Sequence, residues 1–236
     1  MLTDFHSHIL PGIDDGSKSV ENSLEMLRME MAQGIRHVVA TPHFYPRHDS
    51  PDAFLRRRTA ALASLEAAMA GQEGFPKVSV GAEVYFFSGI SDSDVVSQLT
   101  IGENRYVLVE MPHGPWKDSA YRELEGLSVK QGITPVIAHI DRYIRPFKTY
   151  GIPERLRDLP VLVQANAEFF LSRSTRRMAF QLLRNGQIHI LGSDCHNLKD
   201  RKPNMGEAIR VIQERLGQNQ LDWVKDVEMQ ILNGTK

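Results

Sequence analysis

The chain has 236 residues, 42% of them hydrophobic and 24% charged, with one cysteine and nine histidines. That length can bury roughly 70–75% of the unfolded surface and reads as one domain over 1–236. The composition excludes intrinsic disorder, collagen-like repeats and coiled coil. Twenty-eight basic residues against 29 acidic ones leave a net charge of -1, so no bulk charge holds the chain to nucleic acid or anionic lipid.

A lone cysteine rules out an intramolecular disulfide and a cysteine-based zinc finger, and a free thiol suits the cytoplasm. The opening Met-Leu-Thr-Asp-Phe-His has neither the basic nor the apolar region of a signal peptide. No run approaches 18 apolar residues, so membrane insertion is not expected.

Short apolar runs alternate with longer amphipathic ones, the pattern of βα units around a parallel sheet. Leu2–His6 reads as a first strand and Val20–Gln33 as a helix stopped by Gly34. His37–Ala40 is a second strand. Ser50-Pro51 opens a helix running to about Ala70, with Ser as N-cap and Pro at the first position. Val78–Val80, Tyr106–Val109 and Thr134–Ala138 follow as strands three to five. A helix from Ser119 to Gln131, closed by Gly132, lies between the last two. Val161–Gln164 is a sixth strand, Thr175–Asn185 a helix ending at Gly186, and Ile188–Leu191 a seventh strand. Helices near Gly206–Leu216 and Leu221–Leu232 finish the chain. Seven strands fit either an open doubly wound sheet or a closed barrel.

Histidines and carboxylates recur just after these strands. Strand one is followed by His6, His8, Asp14 and Asp15, strand two by His43, and strand three by Glu83. Strand four gives Glu110, strand five His139, and strand seven Asp194 and His196. The C-terminal ends of parallel strands form the active-site face of α/β folds. Imidazole and carboxylate are the ligand set of zinc, manganese and iron. His-x-His and Asp-x-His on extended chain each place two ligands on one side. A lone His beside a strand is usually structural, but six strand ends converging on one chemistry point to a metal centre. The nine side chains His6, His8, Asp15, His43, Glu83, Glu110, His139, Asp194 and His196 suffice for three cations if a carboxylate such as Glu83 or Glu110 bridges.

The runs Asp-Phe-His-Ser-His-Ile-Leu-Pro-Gly-Ile-Asp-Asp-Gly-Ser, Thr-Pro-His-Phe, Gly-Ala-Glu, Leu-Val-Glu, Ala-His-Ile-Asp-Arg-Tyr and Ser-Asp-Cys-His-Asn carry a resemblance. Spread from residue 4 to about 203, they resemble the polymerase and histidinol phosphatase (PHP) superfamily. Within it they are most similar to the bacterial metal-dependent tyrosine-protein phosphatases of capsule and exopolysaccharide clusters. The resemblance implies an α/β fold, a distorted seven-stranded (β/α)7 barrel of PHP type, with three divalent cations. Manganese is the expected metal, with iron and zinc as alternatives. His6, His8, Glu83 and Asp194 would hold the first cation, and Asp15, His43 and His196 the second. Glu83, Glu110 and His139 would hold the third. Many superfamily members have His where this chain has Asp15 and Glu110. Arg142 and Arg201 match the two arginines that contact the phosphoryl group.

The implied reaction is hydrolysis of phosphotyrosine by a metal-activated hydroxide. The implied partner is a phosphotyrosine-containing protein, the tail of a bacterial tyrosine kinase of polysaccharide synthesis and export. No nucleic acid or membrane partner is expected, and an oligomer is left open. Two rivals remain: a small-molecule phosphomonoesterase such as histidinol phosphatase, and a non-catalytic PHP-like binding module. Asp141 and His113 are the nearest general-acid candidates. Phe44, Tyr45, Phe86, Phe87, Trp116 and Tyr143 are candidates to line a cleft for the phosphotyrosine ring.

Cys195 and Arg201 have the Cys-x5-Arg spacing of cysteine-dependent tyrosine phosphatases. The five residues between them include no glycine to let a loop close on phosphate. Cys195 also alternates with two ligands on extended chain, so it reads as a small buried hydrophobe. Arg56-Arg57-Arg58 reads as a solvated helix face, and His37, His48 and His189 as structural histidines.

Overall fold

The computed structural model describes residues 2–102 and 104–234. The chain opens with β1 (Thr3–Ser7), α1 (Val20–Ala32), β2 (His37–Ala40), β3 (His43–Phe44) and α2 (Pro51–Met69). Then come β4 (Lys77–Val80), β5 (Glu83–Tyr85), β6 (Tyr106–Glu110), α3 (Asp118–Gln131) and β7 (Thr134–Ile137). The last third holds α4 (Ile152–Arg157), β8 (Leu162–Asn166), α5 (Ala167–Leu171), α6 (Arg176–Arg184), β9 (Ile190–Gly192), α7 (Met205–Leu216) and α8 (Gln218–Asn233). None of these helices is long and apolar enough to cross a membrane.

Every strand pair is parallel, in the orders β1-β2-β4 and β3-β5-β6-β7-β8-β9. The structure thus has nine strands in two sheets where the sequence suggests seven. The extra two come from breaks. Pro42, which has no N–H to donate, separates β2 from β3. Gly81-Ala82 separates β4 from β5 at the same level. Across the break Gly81 N donates to Ala40 O at 2.9 Å and Glu83 N to Pro42 O at 3.0 Å. At the far edge Asp194 N donates to His6 O at 2.7 Å and His8 N to Cys195 O at 2.9 Å, drawing the segment after β9 against β1.

The apolar residues show that the sheet curls. Phe5, Val39, Leu108, Val136 and Ile190, one each from five strands, form a single buried cluster with Ile231 of α8. Strands of a flat sheet could not meet in this way. A larger cluster, including Leu27, Phe54, Leu124, Leu183 and Ile212, packs the helices onto the other side of the strands.

Helix starts and stops follow local chemistry. Ser19 Oγ accepts from Asn22 N, and Ser50 Oγ accepts from Ala53 N with Pro51 at the first position. Gly132 ends α3 in the left-handed region at φ 62°. The short helices α4 and α5 escape sequence periodicity because five or six residues span less than two turns.

Candidate metal centre

Eight of the nine candidate ligands lie in a strand or within four residues of one, Asp15 lies on the loop after β1, and the structure brings all nine together. His6 Nε2 and His8 Nε2 are 3.2 Å apart, as expected for alternate residues on extended chain. Glu83 Oε2 lies 3.2 Å from the first and 3.3 Å from the second, and Asp194 Oδ1 lies 3.5 Å from both. His43 Nε2 and His196 Nε2 each stand 3.5 Å from Asp15 Oδ1. Glu83 Oε2 is 3.0 Å from His43 Nδ1, which Glu110 Oε2 approaches at 4.0 Å. Glu83 Oε1 accepts from His139 Nε2 at 2.6 Å.

Among the nine, three groups are compact enough to share an ion: His6, His8 and Asp194; His8, Asp15, His43 and His196; and His43, Glu83 and Glu110; a fourth compact group, Asp4, Glu30 and Cys195, lies outside them. The grouping differs in detail from the partition the resemblance implies. His8 joins the second group, and His43 rather than His139 completes the third.

The donor chemistry fits cations. His6 Nδ1 donates to Gln164 Oε1 at 3.2 Å, His8 Nδ1 to Asp14 Oδ2 at 2.8 Å, and His196 Nδ1 to the Asp194 carbonyl at 2.9 Å. Each bond assigns the tautomer that leaves an Nε2 lone pair facing the cluster. Buried atoms without a hydrogen-bond partner gather at the same place: His43 Nδ1, Glu83 Oε2, Glu110 Oε2, His139 Nδ1 and His196 Nε2. A buried carboxylate must be paired or bound to metal.

Charge points the same way. Burial alone would lower the His8 pKa, yet Asp14 and Glu83 together draw it up to about 10. Burial opposes ionisation of Glu83, but His6 and His139 hold it well below the usual carboxylate range. Glu110 goes the other way, raised by burial and then by the neighbouring Glu83 charge. Without cations, the buried carboxylates draw His6 and His8 toward the protonated form, whereas burial lowers His139 and His196.

Several residues outside the nine support them. Asp14 accepts from His8 and, at 3.1 Å, from His43 N, which orients two ligands; its pKa falls to about 2, because His8 outweighs burial. Gln164 Oε1 also accepts from His139 N at 2.5 Å, and Asn166 Nδ2 donates to Asp194 Oδ2 at 3.1 Å. Gln164 and Asn166 alternate at the end of β8, the one predicted strand with no candidate ligand, and that spacing was the available signal. Asp4 Oδ1 accepts from His6 N at 3.1 Å and Ser193 N at 2.9 Å, and Asp4 Oδ2 accepts from Ser193 Oγ at 2.5 Å.

The backbone is forced at two ligands. His139 and Asp194 have φ 31° and 54°, a region that costs non-glycine residues on the order of 1–3 kcal/mol each. Close approach also fixes two glycines. A Cβ on Gly192 would meet His6 Cβ at 2.5 Å, and one on Gly16 would meet His8 O at 2.3 Å.

Arg142 and Arg201 both reach the centre. Each pairs with Asp194, Arg142 Nη2 on Oδ2 and Arg201 Nη2 on Oδ1, the latter at 2.7 Å. They line a cavity of about 360 Å³ that also includes Asp141, Asn166 and Ser193. Asp141 accepts from Asn166 N at 2.9 Å, and burial raises its pKa to about 6. His113 lies on the exposed surface.

The aromatic candidates divide. Tyr45, Phe86 and Phe87 line a cleft of about 570 Å³ beside His43, together with Tyr85, Arg47 and His48. Phe44, Trp116 and Tyr143 are buried in the core instead. Phe44 follows His43 on a strand, so its side chain takes the opposite face.

Cys195 is fully buried beside Asp4 and Glu30, and burial pushes its thiol well above the ordinary range. A thiolate nucleophile is excluded at that position.

A family model described as capsular polysaccharide synthesis, CpsB/CapC, matches residues 2–231. The chain belongs to the CpsB/CapC family. It is 30% identical over 234 residues to the tyrosine-protein phosphatase CpsB of Streptococcus pneumoniae, covering 92% of this chain and 91% of that protein. A crystal structure from work on YwqE of Bacillus subtilis and CpsB of S. pneumoniae, described as unique metal-dependent tyrosine phosphatases, superposes with TM-score 0.82. That match has 25% identity and covers 99% of this chain and 96% of the other. Histidinol phosphate phosphatase of Lactococcus lactis shares the fold at TM-score 0.58 and 13% identity, covering 96% and 93% of the two chains. The chain thus has an α/β fold with a curled parallel sheet, shared with both of these structures.

Proposed function

We propose that this CpsB/CapC chain is a metal-dependent protein-tyrosine phosphatase acting on the tail of a tyrosine kinase of polysaccharide synthesis. The observation that carries this reading is the nine-ligand cluster around Glu83, flanked by two arginines and an aromatic cleft. His6, His8, Asp194 and Glu83 would hold one cation, with Asp15, His43 and His196 on a second. Glu83, Glu110 and His139 would hold a third, His43 standing close by. Imidazole and carboxylate suit manganese, with iron and zinc next. We read the chain as a single PHP-type domain with a seven-stranded (β/α)7 barrel in the cytoplasm, a reading supported if each interrupted pair, β2 with β3 and β4 with β5, is taken as one strand.

When bound, divalent cations neutralise phosphoryl charge and lower the pKa of water from 15.7 to about 7. The chain supplies the rest. Arg142 and Arg201, already aimed at Asp194, make charge-assisted contacts to phosphoryl oxygens. Tyr45, Tyr85, Phe86 and Phe87 receive the aromatic ring, with Arg47 at the rim to meet an acidic peptide. A phenolate leaving group, with a conjugate-acid pKa of about 10, departs with little protonation.

The test is a substrate panel on the manganese-loaded protein: phosphotyrosine peptide, phosphoserine peptide and histidinol phosphate. Preference for phosphotyrosine by kcat/KM supports the reading. Preference for histidinol phosphate would replace it with a small-molecule phosphatase.

A further inference from the structure

The 25 residues from Phe169 to Ser193 contain four arginines and no Asp or Glu, in a chain whose overall charge is balanced. Three of these arginines, Arg176, Arg177 and Arg184, lie on the outward side of α6. With Arg215 of α7 they line a groove of about 470 Å³, floored by Phe180 and Gln181. Arg28, Arg57, Arg142, Arg155, Arg157 and Arg201 are ion-paired. Among the described residues none of the four groove arginines is. Like charges gathered without counter-ions repel one another, so the groove lacks a partner that an anion would supply.

We infer that the α6–α7 groove is a second phosphoryl-binding site, which docks another phosphotyrosine of the same substrate protein while the first occupies the metal centre. The inference rests on the phosphatase reading above. A phosphomonoester carries about −1.5 to −2 charge at neutral pH and three strong acceptor oxygens. Planar guanidinium groups match it two points at a time. The half-buried Phe180 ring gives an aryl group an apolar face between the charges. Arg176 and Arg177 open α6, while Arg184 and Arg215 stand at the ends of α6 and α7. α6 begins five residues beyond α5, which directly follows β8 and Asn166; α7 begins four residues beyond Arg201. Both helices therefore run down from the rim that carries the centre.

A lipid surface fits less well. Membrane-docking faces combine basic groups with protruding apolar side chains. The exposed large hydrophobic residues Tyr85, Val129, Phe147, Tyr150 and Met229 all lie outside the groove.

The test compares the manganese-loaded protein with its Arg177→Glu/Arg184→Glu variant on three substrates: p-nitrophenyl phosphate, a singly phosphorylated tyrosine peptide, and the same peptide with a second phosphotyrosine. The variant should raise KM for the doubly phosphorylated peptide by about tenfold or more, with kcat unchanged and the other two substrates unaffected. Arg177→Lys/Arg184→Lys should recover part of the loss. Equal KM values for both proteins on every substrate would overturn the docking site alone. Failure of the unaltered protein on all three would overturn the phosphatase reading and this inference with it. Unchanged peptide KM, with lost binding to phosphatidylglycerol vesicles or to an oligonucleotide, would assign the groove to those anions and overturn the phosphopeptide assignment.

Discussion

Nε2 of His139 stands 2.6 Å from Oε1 of Glu83, while the other oxygen of that carboxylate lies 3.0–3.3 Å from His6, His8 and His43. One buried side chain, 1% exposed, thus touches imidazoles delivered by three different strand ends. A carboxylate with two oxygens is suited to bridge where a neutral amide of the same size is not.

Glu83→Gln should therefore lose more metal than Asp15→Asn, whose parent carboxylate reaches only His43 and His196 and is largely exposed. Elemental analysis of the purified variants measures this. Equal metal content in the two would contradict the bridge.

Arg201 tests the phosphoryl grip. Its guanidinium is 38% exposed and pairs with Asp194 from the cavity side, leaving donors free. Arg201→Ala should keep its metal but lose roughly 10- to 150-fold in kcat/KM, as expected for about 1.5–3 kcal/mol per charge-assisted contact. Arg201→Lys should recover part, since an ammonium cannot make the planar contact. Unchanged kcat/KM in Arg201→Ala would remove it from the site.

Eight of the nine candidate ligands could be found in the sequence because each lies in a strand or within four residues of one, and a strand fixes where a side chain goes. Their sharing could not. Which histidine serves which cation depends on where loops such as Asp14–Gly16 fold back, and nothing local encodes that. Gln164 and Asn166 leave only a weak signal, their alternation at a strand end, because neutral amides act on the ligands, not on a cation. The two missed strand breaks are a matter of length, since His43–Phe44 and Glu83–Tyr85 are too short to show alternation. Nearness in sequence also misled for Trp116 and Tyr143, which pack edge to face with each other in the core.

Cys195→Ser should keep most of its phosphatase activity. The thiol is buried and held un-ionised. A loss of three or more decades in kcat at unchanged metal content would restore a cysteine mechanism.

Acid should destabilise the metal-free fold through two histidines outside the centre. Burial lowers His189 to about 4, and its Nδ1 accepts from Val163 N at 3.1 Å, a bond that protonation would break. His37 is also lowered to about 4, by burial and then by Lys77. In the unfolded chain both titrate near 6.5. Between about pH 6.5 and 4 the unfolded state binds protons the folded state does not, so stability is lost as pH falls through that window. Thermal melts of metal-free protein between pH 7 and 5 should show acidification costing the unaltered protein more Tm than it costs His37→Gln/His189→Gln. An identical slope in both proteins would contradict the assignment.

On the proposed reading, cations held by the nine candidate ligands make this chain a phosphotyrosine hydrolase. The most direct measurement is phosphate release from a phosphotyrosine peptide by protein that has been chelated, dialysed and then titrated with manganese. The account predicts no activity in the stripped protein, and recovery that follows metal bound per chain and is lost in Glu83→Gln. Full activity in the stripped, metal-free protein would contradict it.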